Sequence, residues 1–180
     1  MSGSGWTSSS VSYAKPQAAG SPDAWSQEAA AKGRRGTQRI VHAGEQAAPA
    51  DAATLLGLET GAPVVVRRRV IELDGEPVEL TDTYYPAHLA AGTRLAETAK
   101  IPGGAVTLLA ALGHTAARIV EEVTALLPTA DQCDQLRVTP TEPLLRISRA
   151  TLDADDRPFQ ADVMFMPAHR QHLCYEMTIG

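Results

Sequence analysis

The chain has 180 residues, which suits one domain, or one domain with a tail, and leaves little room for two. Hydrophobic residues make up 44% and charged residues 21%, enough for a core, and 16 basic against 21 acidic residues give a net charge of −5. Wholesale disorder and a global basic field for nucleic acid are thereby excluded. No apolar run reaches the ~18 residues of a membrane span, and the N-terminus shows no charged-then-apolar leader. Two cysteines, Cys133 and Cys174, are too few for a disulfide framework or a four-cysteine zinc site. The expectation is a cytoplasmic protein with reduced thiols and no membrane partner.

Residues 1–22 are rich in Ser, Gly and Pro, and Trp6, Val11 and Tyr13 stand isolated, without helical or strand period, so this stretch reads as a tail or linker. The alternative is that Trp6 and Tyr13 dock on the domain or on a partner subunit. Asp23 caps a predicted helix to Lys32, ended by Gly33. Thr37 to Glu45 reads as a strand, and a short helix follows from Pro49–Asp51 to Gly57. Val64–Leu73 and Pro77–Tyr85 flank Asp74-Gly75, a strong hairpin signal. Residues 86–97 read as one helix, and 105–112 as another. Residues 117–127 fit a helix by spacing and a strand by β-branched content, and pattern alone leaves both open. A small helix to Leu136 opens at Thr129. Leu144–Leu152, an acidic turn and Phe159–Met166 form a second hairpin, and 173–179 reads as a last strand. Two hairpins with interspersed helices imply an α+β domain on an antiparallel sheet. The hairpins also resemble each other (strand, acidic turn, Pro, strand, Pro), which implies a sheet of two similar halves.

Motifs for chemistry are sparse. There is no P-loop and no nucleophile elbow, and neither a metal nor a cofactor is expected. His169 and His172 lack a third ligand and read as a solvated pair, and adjacent Glu121-Glu122 face different ways. The unusual feature is Arg67-Arg68-Arg69 within a Val-rich strand. Alternation puts Arg67 and Arg69 on one face and Arg68 on the other. A buried guanidinium needs an anionic or hydrogen-bonding partner. That partner is either a bound anion or a cross-strand carboxylate, Glu79 or Asp82. The second hairpin adds Arg149, Gln160 and Asp162, while Tyr84, Tyr85 and Tyr175 near strand ends suit a pocket wall or a core edge.

Several segments together resemble the UTRA domain, the effector-binding module of GntR-type transcription regulators of the HutC subfamily. They are Pro49 to Gly57 with Leu-Gly-Leu, Val-Val-Val-Arg-Arg-Arg, Asp74-Gly75-Glu76-Pro77 leading to Tyr84-Tyr85-Pro86, Lys100-Ile101-Pro102-Gly103-Gly104, Leu144 to Arg149, Asp156-Arg157-Pro158, and Met166 to Arg170. The likeness covers about residues 23–177. It implies a chorismate-lyase-like α+β fold with a central antiparallel sheet, a small, anionic effector, pairing into a homodimer, and no catalysis. DNA is then reached only through a winged-helix domain, and the tail-like residues before the match are too few to supply one.

By this resemblance the ligand-binding residues are Arg67, Arg69, Thr81, Asp82, Tyr84, Arg149, Gln160 and Tyr175. Arg69 matches the first arginine of the family's pocket, and Ile71 stands where a second is common. The acid of the next strand falls near Thr81 or Asp82, and Gln160 replaces a late acid. The rival readings are a chorismate-lyase-type enzyme using Arg69 and Glu121, and a headless partner that heterodimerises with full-length regulators.

Overall fold

The computed structural model describes residues 6–8, 16 and 23–175. Its centre is a six-stranded, wholly antiparallel sheet. In chain order the elements are β1 (Trp6–Ser8), α1 (Ala24–Ala31), β2 (Gly36–Ala47), α2 (Ala50–Leu56), β3 (Pro63–Leu73), β4 (Glu76–Pro86) and α3 (Ala87–Ala90). A 3-10 turn (Arg94–Ala96) leads on to α4 (Gly104–Ala111), β5 (Arg118–Leu126), α5 (Ala130–Leu136), β6 (Leu144–Leu152), β7 (Pro158–Pro167) and β8 (Gln171–Leu173). The spatial order in the sheet is β2-β3-β4-β7-β6-β5, and β1 pairs with β8 in a separate parallel ribbon.

The likeness of the two hairpins is realised as a pseudo-twofold. Each half runs strand, helix, hairpin, and the halves meet where β4 lies beside β7, with Asp82 opposite Val163 at the centre. Arg69 pairs across to Thr81 as Arg149 pairs to Asp162, and both hairpins carry a bulge near their turns, at Ile71/Glu72 and Thr151/Leu152. The helices cross over: α2 lies against β7 and α5 against β4.

Local sequence accounts for these elements. Asp23 Oδ1 accepts the Ser26 amide at 3.0 Å to start α1, and Gly57 ends α2 in the left-handed region at φ 63°. Asp74 and Gly75, with φ of 55° and 86°, make the two-residue turn that matches strand twist. Val64, Val66, Tyr84, Ala161 and Val163 pack one face of the sheet against Ala52, Ala53 and Leu56 of α2, while Leu136 of α5 packs with Leu144. On the other face, Val65, Tyr85 and Phe159 pack against Leu95, Ile101 and Leu109.

Three expectations change and one open alternative is settled. Residues 86–97 are not one helix: α3 stops before Gly92, which turns at φ 73°. Beyond it the carbonyls of Arg94, Leu95, Glu97 and Ala99 all accept from the Arg67 guanidinium. Within 117–127 the strand alternative holds: Arg118–Leu126 form β5, whose whole length pairs with β6. The last described strand is Gln171–Leu173, short of the expected 173–179, of which residues 176–179 lie outside the described residues. Within 1–22, residues 6–8 are a strand paired to β8, and Tyr13 falls outside the described residues.

Candidate functional site

On the sheet face away from α2 and α5 lies a cavity of about 350 Å³. That lies within the range of small-ligand pockets. Strand alternation supplies its floor: Arg67, Arg69 and Ile71 from β3, Glu79 and Thr81 from β4, Gln160, Asp162 and Met164 from β7, and Ile147 and Arg149 from β6. The walls are the start of α1 (Asp23, Trp25), the Lys100–Val106 segment and Gln171 of β8.

Arg69 sits in mid-strand on β3, to one side of this floor. Its Nη2 donates to Thr83 Oγ1 at 2.9 Å and its Nη1 to Gln38 Oε1 at 3.4 Å, both neutral acceptors. Its Nε is buried and donates to nothing. Thr83 passes the polarity on, donating at 2.7 Å to Asp162 Oδ1, and Asp162 Oδ2 accepts from Gln160 Nε2 at 2.9 Å. One hydrogen-bonded chain therefore links Arg69 in the first half of the sheet to Asp162 and Gln160 in the second.

The other charges are arranged differently. Arg67 is 4% exposed and spends its guanidinium on the four loop carbonyls. Burial lowers its pKa. Arg149 Nε pairs with Glu121 at 2.6 Å. Burial opposes the Arg149 charge, but Asp162 and Glu121 outweigh it and hold the pKa above the ordinary arginine value. Glu79 accepts from the Thr81 hydroxyl. Burial, with Asp162 adding to it, pushes the Glu79 carboxyl above the usual carboxylate range despite Thr81, Arg69 and Arg149. At the mouth, Lys100 bridges to Asp23 at 3.4 Å.

Of the eight residues expected at the site, Arg67, Arg69, Thr81, Arg149 and Gln160 line the cavity. Three lie elsewhere. Asp82 alternates to the opposite face, where it pairs with Arg68 at 3.2 Å, so the cross-strand ion pair weighed from the sequence exists one residue away from Arg69. Tyr84 shares that face: its ring packs with α2 and its hydroxyl donates to Asp82 at 3.2 Å. Tyr175 is 51% exposed and lies beside Glu121, outside the cavity.

Sequence reasoning also missed cavity residues. The acid of the second strand is Glu79, not residue 81 or 82. The register Arg69↔Thr81 and Ile71↔Glu79 puts it on the cavity face together with Thr81, while Asp82, opposite Arg68, faces the other way. Gln38, Lys100 and Gln171 come from three separate elements, and no local pattern announces them. Glu121, the acid of the lyase reading, is engaged by Arg149.

A central antiparallel sheet with a closed apolar face and a polar, charge-lined hollow on the other defines a ligand-pocket domain of α+β type. Comparison with known proteins makes this specific: residues 31–172 match the UTRA domain, and the chain belongs to that family. It is 31% identical over 111 residues to an uncharacterized HTH-type transcriptional regulator of Streptomyces coelicolor, covering 60% of this chain and 41% of that one. It is also 31% identical over 104 residues to the HTH-type transcriptional repressor PhnF of Mycolicibacterium smegmatis, covering 58% of this chain and 42% of that one. The chain thus spans less than half the length of both regulators. Among solved structures, the effector domain of PhnF from Mycobacterium smegmatis superposes with a TM-score of 0.74 at 25% identity, covering 92% of this chain and 99% of that one.

Proposed function

We propose that this chain is the effector-sensing and dimerisation module of a cytoplasmic GntR-type regulator of the HutC subfamily. It binds a small, anionic metabolite that controls DNA binding by a winged-helix domain outside this chain. One observation carries the reading: Arg69 is a guanidinium in mid-strand with neutral hydrogen-bond partners, a buried Nε that donates to nothing, and a cavity beside it. An oxyanion in that cavity supplies the acceptor that Arg69 Nε lacks. Glu79 and Asp162 on the same floor favour a ligand that also carries hydroxyl or amine donors.

The curated relatives named as transcriptional regulators support a sensing role over catalysis. So does the engagement of Glu121 by Arg149, which leaves the lyase reading without its acid at Arg69. Dimerisation finds support in β5, an edge strand in the sheet order that exposes Val120 and Val123, with Leu127 just beyond its end. The effector shifts the regulator only by its difference in affinity between the two arrangements of the dimer.

The test is a thermal-shift screen against acidic metabolites, since a ligand selective for the native state raises the melting temperature by mass action. Arg69→Ala is expected to abolish the shift of each hit while the unliganded domain stays folded. Hits whose shift survives in Arg69→Ala overturn the reading.

A further inference from the structure

Gln171 of β8 lines the cavity and is 5% exposed, and its Oε1 is buried and accepts no hydrogen bond. Buried polar atoms are almost always paired, so an orphan acceptor in a cavity wall marks the place of a donor that the chain itself does not supply. Arg69 Nε is the complementary orphan, a buried donor on the floor of the same cavity. A ligand that satisfies both must present an oxyanion to Arg69 and an O–H or N–H to Gln171.

The backbone of Gln171 makes this more than a binding contact. β8 is three residues long and has a single described partner strand, β1, in parallel register with Trp6 opposite Gln171, Thr7 opposite His172 and Ser8 opposite Leu173. Leu173, at the other end of β8, also lines the cavity. So short a ribbon has little stability of its own. Fixing the Gln171 side chain on a ligand fixes the strand to which the N-terminal segment is bound.

We propose that Gln171 is a specificity-determining residue that accepts a hydrogen bond from a hydroxyl or amine of the effector, and that its strand conveys occupancy to the N-terminal strand β1. This rests on the anion-cavity reading above, and the experiment separates the two. Two probes of similar size are used, glycerol 3-phosphate and n-propyl phosphate, which share the phosphate monoester but differ in hydroxyl donors. Isothermal titration gives their affinities, and amide hydrogen exchange reports on residues 6–8.

Wild type is expected to bind glycerol 3-phosphate about tenfold tighter, the scale of one well-made hydrogen bond. Exchange at residues 6–8 slows on saturation with it. Gln171→Met collapses the preference to near unity with propyl phosphate affinity kept, and removes the slowing. Gln171→Glu, which restores an acceptor, retains the preference and keeps the test sound if the Met variant is unstable. An undiminished preference in a folded Gln171→Met domain, or exchange at 6–8 indifferent to ligand, overturns the inference and leaves the Arg69 reading standing. Failure of wild type to bind either compound overturns both.

Discussion

Replacing Arg67 by methionine tests the division of labour among the arginines. The aliphatic stem stays, and the donors to the carbonyls of Arg94, Leu95, Glu97 and Ala99 are lost. Hydrogen bonds to a charged group contribute ~1.5–3 kcal/mol each, are not additive, and are partly offset by relief of the guanidinium's burial, so the expected loss is about 2–4 kcal/mol. For a domain of this size that lowers Tm by about 5–15 °C. Urea unfolding gives the free energy, and amide exchange locates the damage. Protection is expected to fall in residues 94–104, the stretch that carries Lys100, Ile101 and Gly103 to the cavity wall. Ligand affinity then drops through a loosened wall. A variant within ~0.5 kcal/mol of wild type, with unchanged exchange in that segment, refutes the assignment of Arg67 as a strap and returns it to the set of direct ligand contacts.

Gly36→Ala would place a Cβ 2.7 Å from Trp25 Nε1 and 2.8 Å from Ala29 Cβ, displacing α1 from β2, so a loss of about 1–3 kcal/mol in chemical unfolding is expected. Glu79 has a folded-state pKa above its unfolded one, so its contribution is greatest below the unfolded value and is lost as pH rises through the folded value. The stability of Glu79→Gln relative to wild type should therefore increase from pH 4 to pH 7 in paired unfolding titrations, and a flat or falling difference contradicts the assigned environment. Tyr84→Phe and Asp82→Asn should leave the affinity of any thermal-shift hit within about twofold of wild type, because both groups lie on the face of α2. A tenfold loss in either would place the ligand on the wrong side of the sheet.

Much of the fold was legible because its signals are local. The Asp74-Gly75 turn, the Asp23 and Thr129 caps and the alternation of Val64 to Leu73 each act within a few residues. The repeated hairpin pattern even announced the pseudo-twofold. What escaped was non-local or register-dependent. The break after α3 follows from carbonyls captured by Arg67, at least 27 residues earlier in the chain. Strand β5 was undecided until Glu121 found Arg149 across the ladder. Regular alternation separates Glu79 from Asp82, but which face holds the cavity is decided by the helices that cover the other one. Gln171 and Gln38 carry no motif, and only the assembled cavity reveals them.

The pseudo-twofold bears on how a guest lies in the cavity. Arg69 and Arg149 are equivalent under it, but their neighbours have diverged: Thr81 answers Asp162, and Glu79 answers Gln160. A perfect duplicate would offer two indistinguishable berths and accept an elongated guest head-first or tail-first alike. Here Arg149 is ion-paired to Glu121 while Arg69 donates to the neutral Gln38 and Thr83, so the hollow has a front and a back. Under the proposed sensing role, the broken internal symmetry makes the site directional and leaves a lopsided effector a single pose.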